Sequence, residues 1–161
     1  MAKSLKFIAA IDEELGLARE NKIPWDLPTD RQFFRDSIKS GIGLMGWNTF
    51  ESNGKRPFKT SSRNVVITNR NEVFEGVEII HDLRSFIDKT DEDIWVIGGG
   101  DVFRQLLPIA THLYLTRVSG TYDCDVFFPA FEDTFKRTKV LHENTENDIA
   151  YRIEIWQPTQ G

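Results

Sequence analysis

Residues 23–30 bring an aromatic side chain, two prolines and an acid together in one short segment. Trp25 precedes Pro28, which suits the first position of a helix because its missing N–H costs nothing there. Asp30 then shares a face of that amphipathic helix with Phe34. Burial among apolar groups raises the pKa of a carboxyl, which can then bind or pass a proton near neutral pH. The alternative is that Asp30 only interacts with the positive end of its helix.

Three glycines, Gly98, Gly99 and Gly100, separate an apolar run from a helical pattern. Such a turn lets backbone approach a ligand closely, and the free N–H groups of a helix start attract phosphate. The spacing is not Gly-x-Gly-x-x-Gly, so the usual dinucleotide fingerprint does not apply, and a tight strand-to-helix turn is the alternative. Residues 44–50 repeat the arrangement around Gly46, so two junctions could hold one extended polyphosphate ligand.

Thr68, Asn69 and Arg70 end another predicted strand with a hydroxyl, an amide and a guanidinium. A guanidinium can bind a phosphate through two parallel hydrogen bonds, although an arginine after a strand is often only part of a solvated turn. Ligands of parallel sheets gather at the carboxyl ends of the strands. All three segments lie at such ends, so they predict one ligand site.

The elements that must position these groups alternate along the chain. Strands are predicted at residues 6–11, 42–45, 64–68, 77–80, 94–97 and 112–118, with antiparallel partners near 135–142 and 150–157. Helices are predicted at residues 29–39, from about 48, at 83–87 and at 101–107. This order predicts an α/β fold with a central, mostly parallel sheet of about eight strands, helices on both faces and an antiparallel C-terminal edge.

Length and composition restrict the class of protein. The 161 residues, 40% hydrophobic and 28% charged, predict one domain over residues 1–161. A net charge of −5 with dispersed basic residues argues against nucleic-acid binding. Residues 1–161 contain neither an apolar run of spanning length nor a signal-peptide pattern, so we expect no membrane association. A single cysteine, Cys124, favours the cytoplasm, and three widely separated histidines argue against a metal site. No exposed apolar stripe stands out, so we expect a monomer.

The ordered motifs resemble dihydrofolate reductase along essentially the whole chain. They read Pro24-Trp25-x-Leu27-Pro28-x-Asp30, Met45-Gly46-x-x-Thr49-Phe50-Glu51-Ser52, Val96-Ile97-Gly98-Gly99-Gly100, Leu113-Tyr114-Leu115-Thr116 and Asp125-x-Phe127-Phe128-Pro129. The resemblance implies a dihydrofolate-reductase-like fold and an NADPH-dependent oxidoreductase that converts 7,8-dihydrofolate to tetrahydrofolate. In that family, hydride passes from the nicotinamide to C6 of the pterin, and N5 is protonated.

The resemblance also implies roles for individual residues. Asp30 matches the pocket acid that binds the pterin amidine edge and promotes N5 protonation, Thr116 the hydroxyl that supports this acid, and Trp25 the tryptophan that helps hold a water beside it. Substrate contacts are implied for Ile8, Phe34, Phe58, Ile97 and Tyr114. Cofactor contacts are implied for Ala10, Leu17, Ala18, Ile23, Gly46, Trp47, Asn48, Thr49, Thr68, Asn69, Arg70, Gly98, Gly99, Gly100, Asp101, Val102 and Phe103.

Two further family features are implied on the cofactor side. The peptide between Gly98 and Gly99 is cis in the family, and residues 16–24 match the mobile loop that closes over nicotinamide. Trp47 stands where a basic residue is usual, which leaves Arg70 as the candidate for recognising the cofactor's extra phosphate and opens the choice between NADPH and NADH. Phe103 replaces a usual tyrosine, and Ala18 replaces a loop glycine.

The largest departure concerns the glutamate tail of the substrate. The family has an arginine clamp for the tail carboxylate, whereas Arg63 here is about one residue out of register. Arg31 and Arg35, one turn apart on the predicted helix, are alternative candidates for the same carboxylate, or belong to a solvated helix face.

Two other functions are alternatives to this one. A pyrimidine reductase of the riboflavin pathway uses the same architecture but does not require the spacing from Trp25 to Asp30. A non-catalytic nucleotide-binding module would keep the fold without the chemistry, which an intact Asp30 and Thr116 argue against.

Overall fold

The computed structural model describes residues 2–160. Its strands are β1 (Leu5–Ile11), β2 (Gly16–Ala18), β3 (Ile42–Gly46), β4 (Arg63–Ile67), β5 (Val77–Ile80), β6 (Ile94–Gly98), β7 (His112–Val118), β8 (Val126–Phe127), β9 (Phe135–Glu146) and β10 (Ile149–Pro158). Its helices are α1 (Pro28–Ser37), α2 (Trp47–Ser52), α3 (Leu83–Lys89) and α4 (Gly100–Leu106), and 3₁₀ turns cover Ile38–Ser40 and Leu107–Ile109.

Eight strands form one sheet in the order β5-β4-β3-β6-β1-β7-β10-β9. The pairs from β5 through β7 are parallel, whereas β10 pairs antiparallel with both β7 and β9. The predicted α/β class, the mostly parallel eight-stranded sheet and the antiparallel C-terminal edge are confirmed. Since parallel strands end at one edge, the carboxyl ends of β1, β3, β4 and β6 lie together.

Alternation along the buried strands divides the helices between the two faces of the sheet. On β1, Phe7 packs in the cluster that contains Leu106 of α4 and Ile87 of α3. Its neighbour Ile8 packs instead with Phe34 of α1. A sheet covered on both faces explains why its central strands read as nearly continuous apolar runs.

The helix that carries Asp30 begins as its sequence predicts and ends earlier. Pro28 occupies the first helical position. The predicted helix over 29–39 ends at Ser37, and the chain continues as a 3₁₀ turn that buries Ile38 completely. The tighter turn still seats Ile38 in the cluster that contains Phe34, so the predicted apolar face persists although the helix type changes.

Two short strands were not predicted. Residues 16–18 form β2, which pairs antiparallel with β8 in a separate two-stranded sheet. Their periodicity is too short to read, and only the long-range pairing defines them.

β9 runs four residues past the predicted end at 142, because Asn147 and Asp148 adopt positive φ and form a two-residue hairpin turn.

Within residues 2–160, no helix is both long enough and apolar enough to cross a membrane.

Candidate active site

Asp30 lies where α1 meets β7. The Thr116 hydroxyl donates a hydrogen bond of 2.5 Å to its Oδ1, and Thr116 pairs in register with Ala10 of β1. Burial is the largest influence and raises the pKa of Asp30, while the hydrogen bond from Thr116 opposes that rise. Of the neighbouring charges, Glu146 raises this pKa further and Arg31 lowers it. The carboxyl is therefore partly buried, oriented by a fixed donor, and tuned toward binding a proton.

An aromatic and aliphatic pocket adjoins this acid. The five residues predicted to contact substrate lie together around Trp95 and Ile38, namely Ile8, Phe34, Phe58, Ile97 and Tyr114. Phe34 meets Phe58 edge-on with ring centroids 5.5 Å apart. Aromatic and aliphatic side chains one helical turn from an acid are suited to a flat heterocycle that offers hydrogen-bond donors along one side.

Asn64 holds Phe58 in this pocket. Its Oδ1 accepts a hydrogen bond of 2.8 Å from the Phe58 N–H, and its Nδ2 donates one of 3.2 Å to the Phe58 carbonyl. The sequence analysis missed Asn64, because the polar start of a predicted strand gives no sign of which loop it will bind.

Trp25 packs behind the start of α1 and is only 7% exposed. It meets Tyr122 edge-on at 5.3 Å and lies in a cluster with Leu27 and Tyr151, against which Ala10 packs. This packing fixes the segment that leads into α1. Trp25 therefore helps to set the position of the first helical turn, which carries Asp30.

The two glycine junctions meet at the carboxyl ends of β3 and β6. A Cβ on Gly46 would lie 3.0 Å from Val102 Cγ2 and 3.8 Å from the Gly98 carbonyl oxygen. A Cβ on Gly98, whose φ is +142°, would lie 3.0 Å from the Thr49 hydroxyl. The Gly98–Gly99 peptide is cis, as the resemblance implied. The glycines thus let the ends of β3 and β6 pack closely against Val102 and the Thr49 hydroxyl of the helices that follow them.

Two helical residues predicted on this side lie under the glycines. Phe103 is 1% exposed and packs on Phe7 and Phe128, and Val102 is 5% exposed. Asp101 and Asn48 are exposed at the two helix starts. Phe103 therefore supports the glycine turn from below, and the hydroxyl of the usual tyrosine has no counterpart there.

Arg70 stacks on Trp47. Its guanidinium carbon lies 4.2 Å from the indole centroid, and its Nη1 forms an ion pair of 3.3 Å with Glu72. Stacking leaves the edge N–H groups of a guanidinium able to bind an anion, and here one edge nitrogen already binds the exposed carboxylate of Glu72. Trp47 stands where the family usually has a basic residue. It positions a different basic residue, Arg70, at the same end of the sheet.

Thr68 and Asn69 line a cavity of about 420 Å³ together with residues that the sequence analysis missed, among them His81, Arg84 and Gln105. The His81 Nδ1 donates a hydrogen bond of 2.6 Å to the Thr68 carbonyl. His81 directly follows β5, so the rule that parallel strands end at one edge would have found it.

The loop after β1 is tied to the chain near residue 125. The Glu20 N–H donates a hydrogen bond of 2.9 Å to the Asp125 carboxylate, and the Asp125 N–H donates one of 2.9 Å to the Ala18 carbonyl. Leu17 and Ala18 lie in β2, whereas Ile23 is 63% exposed. These bonds tie the loop to Asp125.

Arg63 is directed away from the pocket. It opens β4, where its guanidinium binds Glu78 at 2.7 Å and Glu92 at 2.5 Å. The hydrogen bond to Glu78 is the main cause of the raised pKa of Arg63. Side chains alternate between the two faces of a strand, so Arg63 lies on the face opposite to the one on which its neighbour Asn64 binds Phe58. The structure does not support the predicted contact between Arg63 and the substrate tail, because this arginine binds carboxylates of the protein itself.

Arg31 and Arg35 are both exposed on α1 but differ in their partners. Arg31 forms an ion pair with Asp26, which precedes the helix. Arg35 donates a hydrogen bond of 2.8 Å to the neutral amide of Gln32. The helix position of Arg35 next to Phe34 brings a charge beside the aromatic pocket.

Comparisons with known proteins agree along nearly the whole chain. A family model described as dihydrofolate reductase matches residues 4–158. The dihydrofolate reductase of Haemophilus influenzae is 38% identical over 161 residues, covering 95% of this chain and 98% of that protein. That of Bacillus subtilis is 31% identical over 146 residues, covering 89% and 86%. A solved dihydrofolate reductase from Enterococcus faecalis, complexed with NADP(H) and RAB-propyl, has a TM-score of 0.87 at 28% identity and covers 98% of this chain and 97% of that one.

Proposed function

This chain belongs to the dihydrofolate reductase family, and from that premise we propose how its residues carry out the reaction. The protein is an oxidoreductase of folate metabolism that reduces 7,8-dihydrofolate to 5,6,7,8-tetrahydrofolate with NADPH. Asp30 binds the amidine edge of the pterin and promotes protonation of N5, with Thr116 as its supporting donor and Trp25 as the aromatic side chain behind it.

One observation carries this assignment: the partly buried carboxyl of Asp30, held by the Thr116 hydroxyl at 2.5 Å one helical turn before Phe34 of the aromatic pocket. Burial raises the pKa of Asp30, so the group holds a proton at a higher pH than a free aspartate does. A general acid of this kind contributes roughly 10²–10⁴-fold to a rate. Ile8, Phe34, Phe58, Ile97 and Tyr114 exclude water around the ring and set its orientation.

The close packing at the two glycine junctions supports NADPH binding. Side chains at Gly46 and Gly98 would crowd Val102 and Thr49, at 3.0 Å in each case, so glycine is needed for the strand ends to approach the starts of α2 and α4 this closely. Bound NADPH supplies the hydride that reduces C6 of the pterin. The chain contributes backbone at Ala10, Gly46, Gly98, Gly99 and Gly100 and a hydroxyl at Thr49, while Leu17, Ala18 and Ile23 belong to the loop that covers the nicotinamide.

The far end of the cofactor binds, in this proposal, where β4 and β5 end. Trp47, Asn48, Thr68, Asn69 and Asp101 surround it, and Arg70 recognises the phosphate that distinguishes NADPH from NADH. The support is the stacking of Arg70 on Trp47 at 4.2 Å, which presents a fixed guanidinium edge.

We further propose a cytoplasmic monomer that uses a small-molecule substrate and binds neither nucleic acid nor membrane. The net charge of −5 disfavours a polyanionic partner. Cys124 is a free thiol, and burial raises its pKa to about 11, so it stays protonated and unreactive. Size-exclusion chromatography with light scattering tests the monomer.

The decisive experiment follows oxidation of NADPH, and then of NADH, with and without 7,8-dihydrofolate, for the parent protein and Asp30→Asn. We expect turnover that depends on dihydrofolate, prefers NADPH and falls on the order of 10²–10⁴-fold in the variant. A folded, NADPH-binding parent that turns over no pterin would contradict the proposal and favour a binding module. Turnover of a ribosylated pyrimidine instead would favour the riboflavin-pathway activity.

A further inference from the structure

The tip of the β9–β10 hairpin forms hydrogen bonds with the start of α1, the helix that carries Asp30. Glu146 ends β9 and accepts two hydrogen bonds from Thr29, one of 3.1 Å from the backbone N–H and one from the hydroxyl. The next residue, Asn147, donates a hydrogen bond of 2.8 Å to the Asp26 carbonyl. Residues separated by more than a hundred positions thus meet on both sides of Pro28.

The helix needs such a partner because it cannot cap itself. The first N–H groups of a helix have no acceptor within it and are usually satisfied by a polar side chain just before the first turn. Leu27 stands at that position and has no acceptor, and Pro28 has no N–H. Asp30, the acid of the first turn, directs its carboxyl to Thr116. The acceptor for the Thr29 N–H therefore comes from Glu146.

Other residues of the hairpin fix the position of Glu146. The Tyr151 hydroxyl donates a hydrogen bond of 3.3 Å to Glu146 Oε2, and Tyr151 is 2% exposed within the cluster that contains Trp25. Positive φ at Asn147 and Asp148 sets the two-residue turn, and Ile149 pairs with Glu146 in register. The carboxylate of Glu146 consequently has a defined place beside the residue that precedes Asp30.

We propose that Glu146 is a positioning residue for the reaction: it caps the first turn of α1 from a distant hairpin and sets a second negative charge beside Asp30. The inference rests on the proposed role of Asp30. Like charge favours the protonated form of a carboxyl, and Glu146 contributes to the raised pKa of Asp30. The hydrogen bonds from Thr29 lower the pKa of Glu146, so it stays ionised while Asp30 takes up a proton.

The other charged and titratable groups around this contact are few. They are Arg31 on α1 and its ion-pair partner Asp26, His142 on β9 and Tyr151 on β10. Arg31 lowers the pKa of Asp30 and therefore opposes Glu146. Because Arg31 is already paired with Asp26, it stays in place when the Glu146 charge is removed. The pKa of Asp30 should then move only downward.

The test compares Glu146→Gln with Glu143→Gln, which removes the same charge from an exposed position three residues earlier on β9. The Asp30 carboxyl is titrated by ¹³C NMR in aspartate-labelled protein without ligands, and assigned with Asp30→Asn. The pH profile of the hydride-transfer rate is measured in parallel by single turnover. The NMR titration requires no activity, so failure of the inference and failure of the proposed function give different results.

We expect Glu146→Gln to lower the midpoint of the Asp30 NMR titration and the midpoint of the pH profile. The hydride-transfer rate at pH values above the midpoint should fall roughly threefold. Glu143→Gln should move neither midpoint. An Asp30 titration unchanged in Glu146→Gln would overturn the inference. Glu146→Ala removes the acceptor as well as the charge, so it should raise the KM for dihydrofolate severalfold, whereas Glu146→Gln preserves KM. A KM in the alanine variant equal to that of the parent would overturn the capping role.

Discussion

The Thr116 hydroxyl lies 2.5 Å from Asp30 Oδ1, joining a strand at the centre of the sheet to the first turn of α1. The two residues are 86 positions apart in the sequence. Thr116 is 3% exposed, so the donor is anchored in the sheet and shielded from solvent. The proton affinity of Asp30 is therefore a compromise between burial, which raises its pKa, and this hydrogen bond, which lowers it.

Removal of the Thr116 hydroxyl should extend activity to higher pH. The hydrogen bond stabilises ionised Asp30, so Thr116→Val should raise the pKa of Asp30 and increase the hydride-transfer rate on the alkaline side roughly threefold. The pH profile of single-turnover rates measures this. Thr138→Val, on exposed β9, is the control and should leave the profile in place. A midpoint that moves to lower pH would contradict the assigned hydrogen bond.

Asp30→Asn should stabilise the fold at neutral pH although it lowers activity. The pKa of Asp30 in the folded protein is raised above its ordinary value of 3.8. Folding therefore binds a proton at pH values between the two, and stability falls as pH rises through that interval. The side-chain amide of Asp30→Asn does not ionise, so the variant does not lose stability in this way. Thermal denaturation should therefore show a higher Tm for the variant at pH 7 and no advantage below pH 3.8. An equal Tm difference at both pH values would rule out this linkage.

Arg70→Ala should weaken the preference for NADPH. We expect the ratio of kcat/KM for NADPH to that for NADH to fall roughly tenfold, because the stacked guanidinium supplies charge-assisted hydrogen bonds that only the phosphorylated cofactor can use. Steady-state kinetics with both cofactors measures the ratio. Arg56→Ala removes an exposed arginine from the loop before β4 and should leave it unchanged. A proportional loss with NADH would assign Arg70 a structural role.

Arg35→Ala should affect recognition of the substrate tail more than Arg31→Ala does. Arg31 is neutralised by Asp26, whereas Arg35 is hydrogen-bonded to a neutral amide. We expect the KM for dihydrofolate to rise roughly tenfold in Arg35→Ala, with little change for a dihydropterin that lacks the glutamate tail. If both variants keep the parental KM for dihydrofolate, neither arginine binds the carboxylate.

Glu154→Gln should destabilise the C-terminal edge of the sheet. Its carboxylate is 0% exposed and lies within 3.5 Å of nitrogens of three arginines, Arg117, Arg137 and Arg152. Breaking a buried ion pair by removing one partner costs about 3 kcal/mol. Urea denaturation should show a loss of that size, while Glu132→Gln, at 3.9 Å from Arg117 on the surface, should cost less than about 1 kcal/mol. Equal losses would mean that burial of Glu154 adds nothing.

Local sequence patterns predicted most of the fold. The apolar runs around Phe7, Leu44 and Val96 became central strands of the parallel sheet, because a strand covered on both faces must be apolar throughout. Pro28 marked the start of α1 correctly. Short pairings escaped prediction: β2 and β8 have two or three residues each, and a period of two cannot be read over that length.

Local patterns predicted less of the candidate site. The residues of the aromatic pocket and the glycine junctions were placed by resemblance, and the structure brings them together. Arg63 was misplaced because its type and approximate position matched a clamp, while Glu78 and Glu92 bind its guanidinium on the face of β4 opposite to Phe58. His81 and Asn64 were missed because their partners, Thr68 and Phe58, are fixed by the way strands and loops meet.

The sequence by itself determined which segments become strands and helices and which chemical groups are available, because apolar periodicity and turn residues act over a few neighbouring positions. Only the tertiary structure decided what Asp30 can do. Its burial, the Thr116 donor and the Glu146 carboxylate come from a helix, a central strand and a hairpin far apart in the chain. The proton affinity of one carboxyl depends on distances of a few ångströms, and packing of the whole sheet sets those distances.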